Sequence, residues 1–232
     1  MKCKIVSYSQ PTLEFAEEGL KDVQDLIAYA ARVSNPNNQL NTETSTKLLN
    51  YLAKHKHWSP FEMASVCMEV ETTRDIARQL LRHRSFSFQE FSQRYADPTT
   101  DLDFVTRECR LQDPTNRQNS IDIEHDPAIQ QDPKMEEMIT EWQRRQHGLI
   151  NQSRELYGWA IEHGIAKEQA RAVLPEGLIV SRLYVNGTVR SWIHYVELRS
   201  ANGTQKEHME LARAVGQAIV QIFPLAEDYI EQ

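Results

Sequence analysis

One stretch restricts the fold more than any other: Lys134 to His163 reads as a single uninterrupted helix. Met135, Met138, Ile139, Trp142, Leu149, Ile150, Leu156, Tyr157, Ala160 and Ile161 mark its apolar face, and Gly164 supplies the stop. At 1.5 Å per residue such a helix is about 45 Å long, so the rest of the chain has to pack beside it. Strand patterns occupy Lys2 to Ser7, Met63 to Glu71 (with Val66, Met68 and Val70 on one side) and Leu178 to Val185. Further helices are expected over Asp22 to Val33, Thr44 to His55, Lys167 to Leu174 and Gln205 to Phe223. Another follows Thr72, which can cap it with Asp75 as partner, and carries Ile76, Ala77, Leu80 and Leu81. Asn186-Gly187 is expected to turn the chain, with Thr188 capping a helix through Arg199. Strands among long helices give an α+β class, simplest as one sheet packed by several long helices.

Between 97 and 133 the pattern fails. Pro98, Pro114, Pro127 and Pro133 punctuate a polar stretch that reads as an irregular loop or insertion within a single domain, 1–232. The net charge of −7, from 33 acids against 26 bases, argues against bulk nucleic-acid binding and requires any anion site to concentrate its positive charge locally. No apolar run approaches the ~20 residues of a membrane span, and no signal peptide is visible at Met1-Lys2-Cys3-Lys4. Cys3, Cys67 and Cys109 have neither metal nor disulfide spacing, and the histidines form no HExxH-like element. The expectation is a reducing, cytoplasmic compartment, with no metal, no membrane and no nucleic-acid partner. At 40% hydrophobic residues the core is lean, a weak hint of burial in an oligomer.

Local positive charge appears in residues 74–95, RDIARQLLRHRSFSFQEFSQRY, where five arginines and a histidine stand among two acids. Arg74, Arg78 and Arg82 share a helix face. Ser85, Ser87 and Ser92 follow, interleaved with Phe86, Phe88 and Phe91. Guanidinium forks and hydroxyls suit a phosphate, and aromatic rings beside them could pack on a flat ring system. The same composition also fits a solvated basic helix face followed by core phenylalanines, or a module stacking RNA bases.

The order of residues adds a resemblance. Arg82-His83-Arg84, then seven residues, Ser92 and Arg94-Tyr95 resembles the signature of flavin-dependent thymidylate synthases. Ala31-Arg32-Val33-Ser34, His57-Trp58-Ser59-Pro60-Phe61-Glu62, Ala170-Arg171-Ala172-Val173-Leu174-Pro175, Arg190-Ser191 with Leu198-Arg199, and Gln205 with Glu207 are similar to further elements of that family, in its order. Gln89 stands where the family usually has asparagine, Gln93 where it often has glycine, and His194 where it has asparagine. The chain between Pro175 and Arg190 is one residue longer, so the flavin-contacting position there falls on Asn186 or Thr188.

The resemblance implies a single α+β domain with a mostly antiparallel sheet, and a homotetramer with its sites between subunits. It implies conversion of dUMP to dTMP, with methylenetetrahydrofolate as one-carbon donor and NADPH-reduced FAD as hydride carrier. It places dUMP on Gln79, Arg82, Glu90, Phe91, Ser92, Gln93, Arg94, Arg171 and Arg199, with Ser92, Arg94 and Arg171 at the phosphate. It places FAD on Ser59, Arg82, His83, Arg84, Glu90, Arg190, His194 and Asn186 or Thr188, supported by Ser34, His57 and Glu62. Uracil C5 is a poor nucleophile, and no cysteine has a recognisable activating neighbourhood. The resemblance gives Arg199 the catalytic role, stabilising an ionised pyrimidine from N3 and O4.

Overall fold

The computed structural model describes residues 1–123 and 132–227. β1 (Lys2–Tyr8) leads to α1 (Leu13–Glu17), α2 (Val23–Ala31) and α3 (Ser45–Lys54). Asp22 caps α2, accepting from the Asp25 amide at 2.9 Å. Next come β2 (Ser65–Thr73), α4 (Arg74–Leu80) and β3 (Ser87–Glu90). The segment from 97 contains α5 (Pro98–Asp101), β4 (Arg110–Gln112) and β5 (Ser120–Asp122). The long helix α6 covers Pro133–Glu162, followed by α7 (Lys167–Ala170), β6 (Val180–Thr188), α8 (Val189–Ser200) and α9 (Lys206–Val220).

The main sheet is antiparallel throughout, in the order β1-β2-β6-β3. One face is apolar: Val66, Met68, Val70, Leu183 and Val185 are buried against Trp192, Ile193 and Val196 of α8 and Leu211, Val215 and Ile219 of α9. Each such side chain contributes about 1.5–3 kcal/mol of burial. The other face carries Lys2, Glu71 and Arg182 in adjacent strands, with Arg182 Nη2 at 2.6 Å from Glu71. The odd–even alternation of the strands thus sends chemistry to one side and core to the other. Cys67 lies on the polar face, only half-buried, and so is not the buried core thiol its mid-strand position suggests.

Several expectations need correction. Asn186-Gly187 does not turn the chain; both lie within β6, which runs straight into α8. Gly187 is required for another reason: a Cβ there would stand 2.2 Å from the Phe86 ring. The cap of α4 is Thr73, not Thr72, because β2 extends two residues further; the Thr73 hydroxyl bonds the Asp75 carboxylate at 2.6 Å. The 97–133 segment is not irregular throughout: β4 and β5 form a hairpin, and Phe104 bridges Ile179. Its residues 124–131, with Pro127, lie outside the described residues. Along α6 only part of the apolar face is covered. Ile150, Tyr157 and Ala160 are buried, whereas Trp142, Leu149, Leu156 and Trp159 are exposed. The helix therefore offers a stripe that the described residues leave open to solvent.

Candidate active site

The elements of residues 57–62 are set by one buried ring. Phe61 is 1% exposed and meets Phe223 edge-on at 6.0 Å, anchoring a 3-10 turn over Ser59–Glu62. That anchor leaves His57, Ser59 and Glu62 at the surface. Trp58 packs edge-on against His194 at 4.7 Å, and Arg190 pairs with Glu62. Burial lowers the pKa of His194, partly opposed by Glu197 and helped by Arg190. Thus His57, Ser59, Glu62, Arg190 and His194, distant in sequence, form one surface.

A second group assembles where α4 ends. His83 sits in the turn after Leu80, its amide on the Leu80 carbonyl at 3.0 Å. The Arg199 Nε–H, near the end of α8, donates to His83 Nε2 at 2.9 Å. An imidazole nitrogen that accepts is unprotonated, so His83 carries its proton on Nδ1. Burial first, and the Arg199 charge second, hold the His83 pKa below its usual value, keeping that acceptor available at neutral pH. With Nε engaged, Arg199 makes no other side-chain bond among the described residues. Gln79 joins through Gln205, amide to amide at 2.9 Å.

The third group lies at the far end of β3. Arg94 reaches Glu168 at 3.1 Å and Lys167 donates to the Tyr95 carbonyl at 3.0 Å, which ties residues 91–95 to α7, just before Arg171. Ser92 accepts two turn amides, from Tyr95 and Ala96, through its carbonyl at 3.1 Å each. Gln93 is 4% exposed, and its Nε2 is buried with no partner. Phe91 is half-buried, its amide on the Arg182 carbonyl at 2.8 Å.

Some expected site residues are occupied elsewhere. Arg74 is buried and lies 3.4 Å from Glu90, and Arg78 lies 3.8 Å from it; both also approach Glu176 at 3.5 Å. Glu90 further accepts from the Ser181 hydroxyl at 2.9 Å. Arg74 and Arg78 therefore do not share a free face with Arg82. Phe86 stacks into the core, its ring 4.4 Å from Trp192, and Phe88 packs against the same core. Neither is available to lie on a flat ligand or a nucleic-acid base. The Thr188 hydroxyl is engaged with the Ser191 amide as the α8 cap at 3.2 Å, while Asn186 is exposed on the polar sheet face. Ser34 follows Arg32, which is buried and bonded to Thr44 at 2.8 Å; it lines a separate cavity of about 550 Å³ with Lys47 and Tyr51. Among the described residues the guanidiniums of Arg82, Arg84 and Arg171 have no hydrogen-bond or ion-pair partner. The described residues contain no cluster able to hold a metal ion, and no described helix is long and apolar enough to cross a membrane.

Residues 18–225 match the family described as thymidylate synthase complementing protein. The chain belongs to this family. It is 47% identical to the probable flavin-dependent thymidylate synthase of Paramecium bursaria Chlorella virus 1 over 224 residues, 97% of this chain and 96% of that one. It is 42% identical to the flavin-dependent thymidylate synthase of a Synechocystis species over the full length of both. In structure it is similar to the UMP/dUMP methylase PolB of Streptomyces cacaoi bound with 5-Br dUMP. The TM-score there is 0.74 and the identity 23%, covering 99% of this chain and 94% of that one. Within this family member, two features escaped the sequence. His208 reads as an apolar-face residue of α9, flanked by the buried Leu211, Ala212 and Val215; Arg110 lies in the stretch that looked irregular.

Proposed function

We propose that this chain is a flavin-dependent thymidylate synthase that makes dTMP from dUMP, with methylenetetrahydrofolate as one-carbon donor and NADPH as reductant. The observation that carries the reading is the Arg199 guanidinium, held at 2.9 Å on a neutral His83 between two arginines without acidic partners. In a chain of net charge −7, unpaired guanidiniums at Arg82 and Arg84 are where anionic phosphates fit. These, with the surface of His57, Ser59, Arg190 and His194, fit the diphosphate and ring system of FAD. Bound there, FAD supplies the hydride that completes the methyl group.

The protein's own part is electrostatic. His83 fixes Arg199 through Nε and leaves both terminal nitrogens for N3 and O4 of the uracil, where they stabilise ionised pyrimidine and raise electron density at C5. A sulfur route is disfavoured at two of the three thiols. Burial pushes Cys3 up to about 12 and raises Cys109. Ser92, Arg94 and Arg171 take the nucleotide phosphate, with Gln93 turning its buried free amide toward it. Among the described residues no hydrogen bond or ion pair joins this phosphate group to the Gln79–Arg82–Arg199 group. We therefore place them on different subunits of a homotetramer, with the open stripe of α6 as one of its contacts.

The test is direct. The purified protein is expected to be yellow, to release FAD on denaturation, and to convert dUMP only with NADPH and the folate. A colourless protein that FAD cannot restore, or one inactive with all substrates present, sinks the reading.

A further inference from the structure

The geometry points to His208 as a positioning residue: it fixes the Gln79 amide so that the nucleotide meets an N–H donor there and not a carbonyl. This rests on the reading that Gln79 contacts dUMP.

The direction of the hydrogen bonds carries the argument. Glu207 is paired with Arg110 and lies 3.5 Å from Arg107. Burial alone would raise its pKa, but hydrogen bonds from Arg110, its own backbone amide and Gln205 outweigh that, and the net shift is downward. An ionised carboxylate only accepts. The Gln205 amide at 2.9 Å must therefore turn its NH₂ to Glu207, which leaves its carbonyl toward Gln79. Gln79 must then donate to that carbonyl, at 2.9 Å, and turn its own oxygen to His208 Nδ1, at 3.1 Å. Nδ1 is thereby the protonated nitrogen, and the bare Nε2 accepts from the Tyr195 hydroxyl at 3.1 Å. Flipping either amide would set oxygen against oxygen at one end of the chain.

His208 is fully buried, and burial first, with the Arg199 charge second, holds its pKa down at about 3. It therefore stays neutral across the working pH range and its tautomer does not change. The Gln79 oxygen is consumed by His208, and one amide hydrogen is consumed by Gln205. What remains on this half-buried side chain is a single N–H. That group recognises an acceptor: a carbonyl or phosphate oxygen of the nucleotide.

The experiment compares His208→Asn with His208→Gln in the flavin-loaded protein. An asparagine amide replaces the Nδ1 donor; a glutamine amide replaces Nε2 instead. We expect KM for dUMP to stay within about threefold of wild type in H208N and to rise about tenfold or more in H208Q, with kcat within about twofold in both. Equal KM values, or a loss confined to kcat, overturn the positioning role. ¹⁵N-histidine NMR of the wild type, with the His208 signals assigned by their loss in H208N, is expected to show the Nδ1–H tautomer between about pH 6 and 8. An Nε2–H signal overturns the wire irrespective of dUMP. If the histidine variants do not fold, Glu207→Gln is the alternative, expected to mix the two His208 tautomers and raise KM; a single unchanged tautomer refutes the argument. An Nδ1–H tautomer in a wild type that binds no dUMP would instead refute the substrate assignment and the positioning role with it, leaving only the wire.

Discussion

The two halves of the arginine run from 74 to 84 have opposite fates. Arg74 and Arg78 sit within 3.8 Å of Glu90 and are neutralised there, Arg74 with only 8% of its side chain exposed. Arg82 and Arg84, just beyond the end of α4, have no acidic partner among the described residues, and between them His83 receives Arg199. The same residue type in one run is structural where the fold brings a carboxylate to it and available for a ligand where it does not. The difference is one of partner, not of residue chemistry. Buried charges need partners to be tolerated at all, whereas exposed guanidiniums keep their hydration until an anion displaces it.

Four changes test the contrast, in decreasing size. Arg199→Ala removes the guanidinium aimed at the pyrimidine. Turnover is expected to fall by at least about 10³-fold while flavin and dUMP are retained; normal turnover would show that the unpaired half plays no electrostatic part. Arg74→Met leaves the half-buried Glu90 with its nearer cation gone. The expected cost is about 3 kcal/mol, a melting temperature lower by roughly 6–12 °C, with flavin content per folded molecule unchanged. A melting point equal to wild type would erase the distinction between the halves.

The third concerns protonation. His208 titrates near 6.5 when unfolded but at about 3 in the folded chain. The unfolded state thus binds the extra proton as pH falls below 6.5, and the stability held above that value drains away until about 3. One such group contributes at most about 1.4 kcal/mol per pH unit. Denaturation in urea at stepped pH should show a shallower acid slope in H208N, which does not titrate; parallel slopes would mean another group dominates. The smallest effect belongs to Arg84→Ala, for which flavin affinity is expected to fall about tenfold, more steeply at low salt, with no change in melting temperature. A stability loss in place of an affinity loss would put Arg84 in the same class as Arg74.

Legibility in the sequence followed the range of the interaction. β1, β2, α2, α3, α6 and α9 were readable within a few residues, because period, caps and stops are local. The run of β6 through Asn186-Gly187 was not, because the glycine answers to the Phe86 ring about a hundred residues away and not to a turn. The exposed stripe of α6 was equally hidden: periodicity reports that a face is apolar, not whether its cover comes from the same chain. At the site, the motif order brought His83, Arg199, Arg94 and Arg171 into view. The Thr188 cap was readable as well, whereas the pairing of Glu90 and the buried place of Phe86 were set elsewhere.

By itself the sequence determined the antiparallel α+β scaffold's elements, the local concentration of positive charge in an acidic chain, and the ordered family motifs. Only the tertiary structure decided which arginines are neutralised, which nitrogen of His83 accepts from Arg199, and which way the amides from Glu207 to His208 point. Those outcomes depend on the direction of hydrogen bonds and on distances between groups that the fold brings together, from Arg74–Glu90 and Arg74–Glu176 to His83–Arg199 and Gln79–His208, and neither direction nor distance is written in a residue's name.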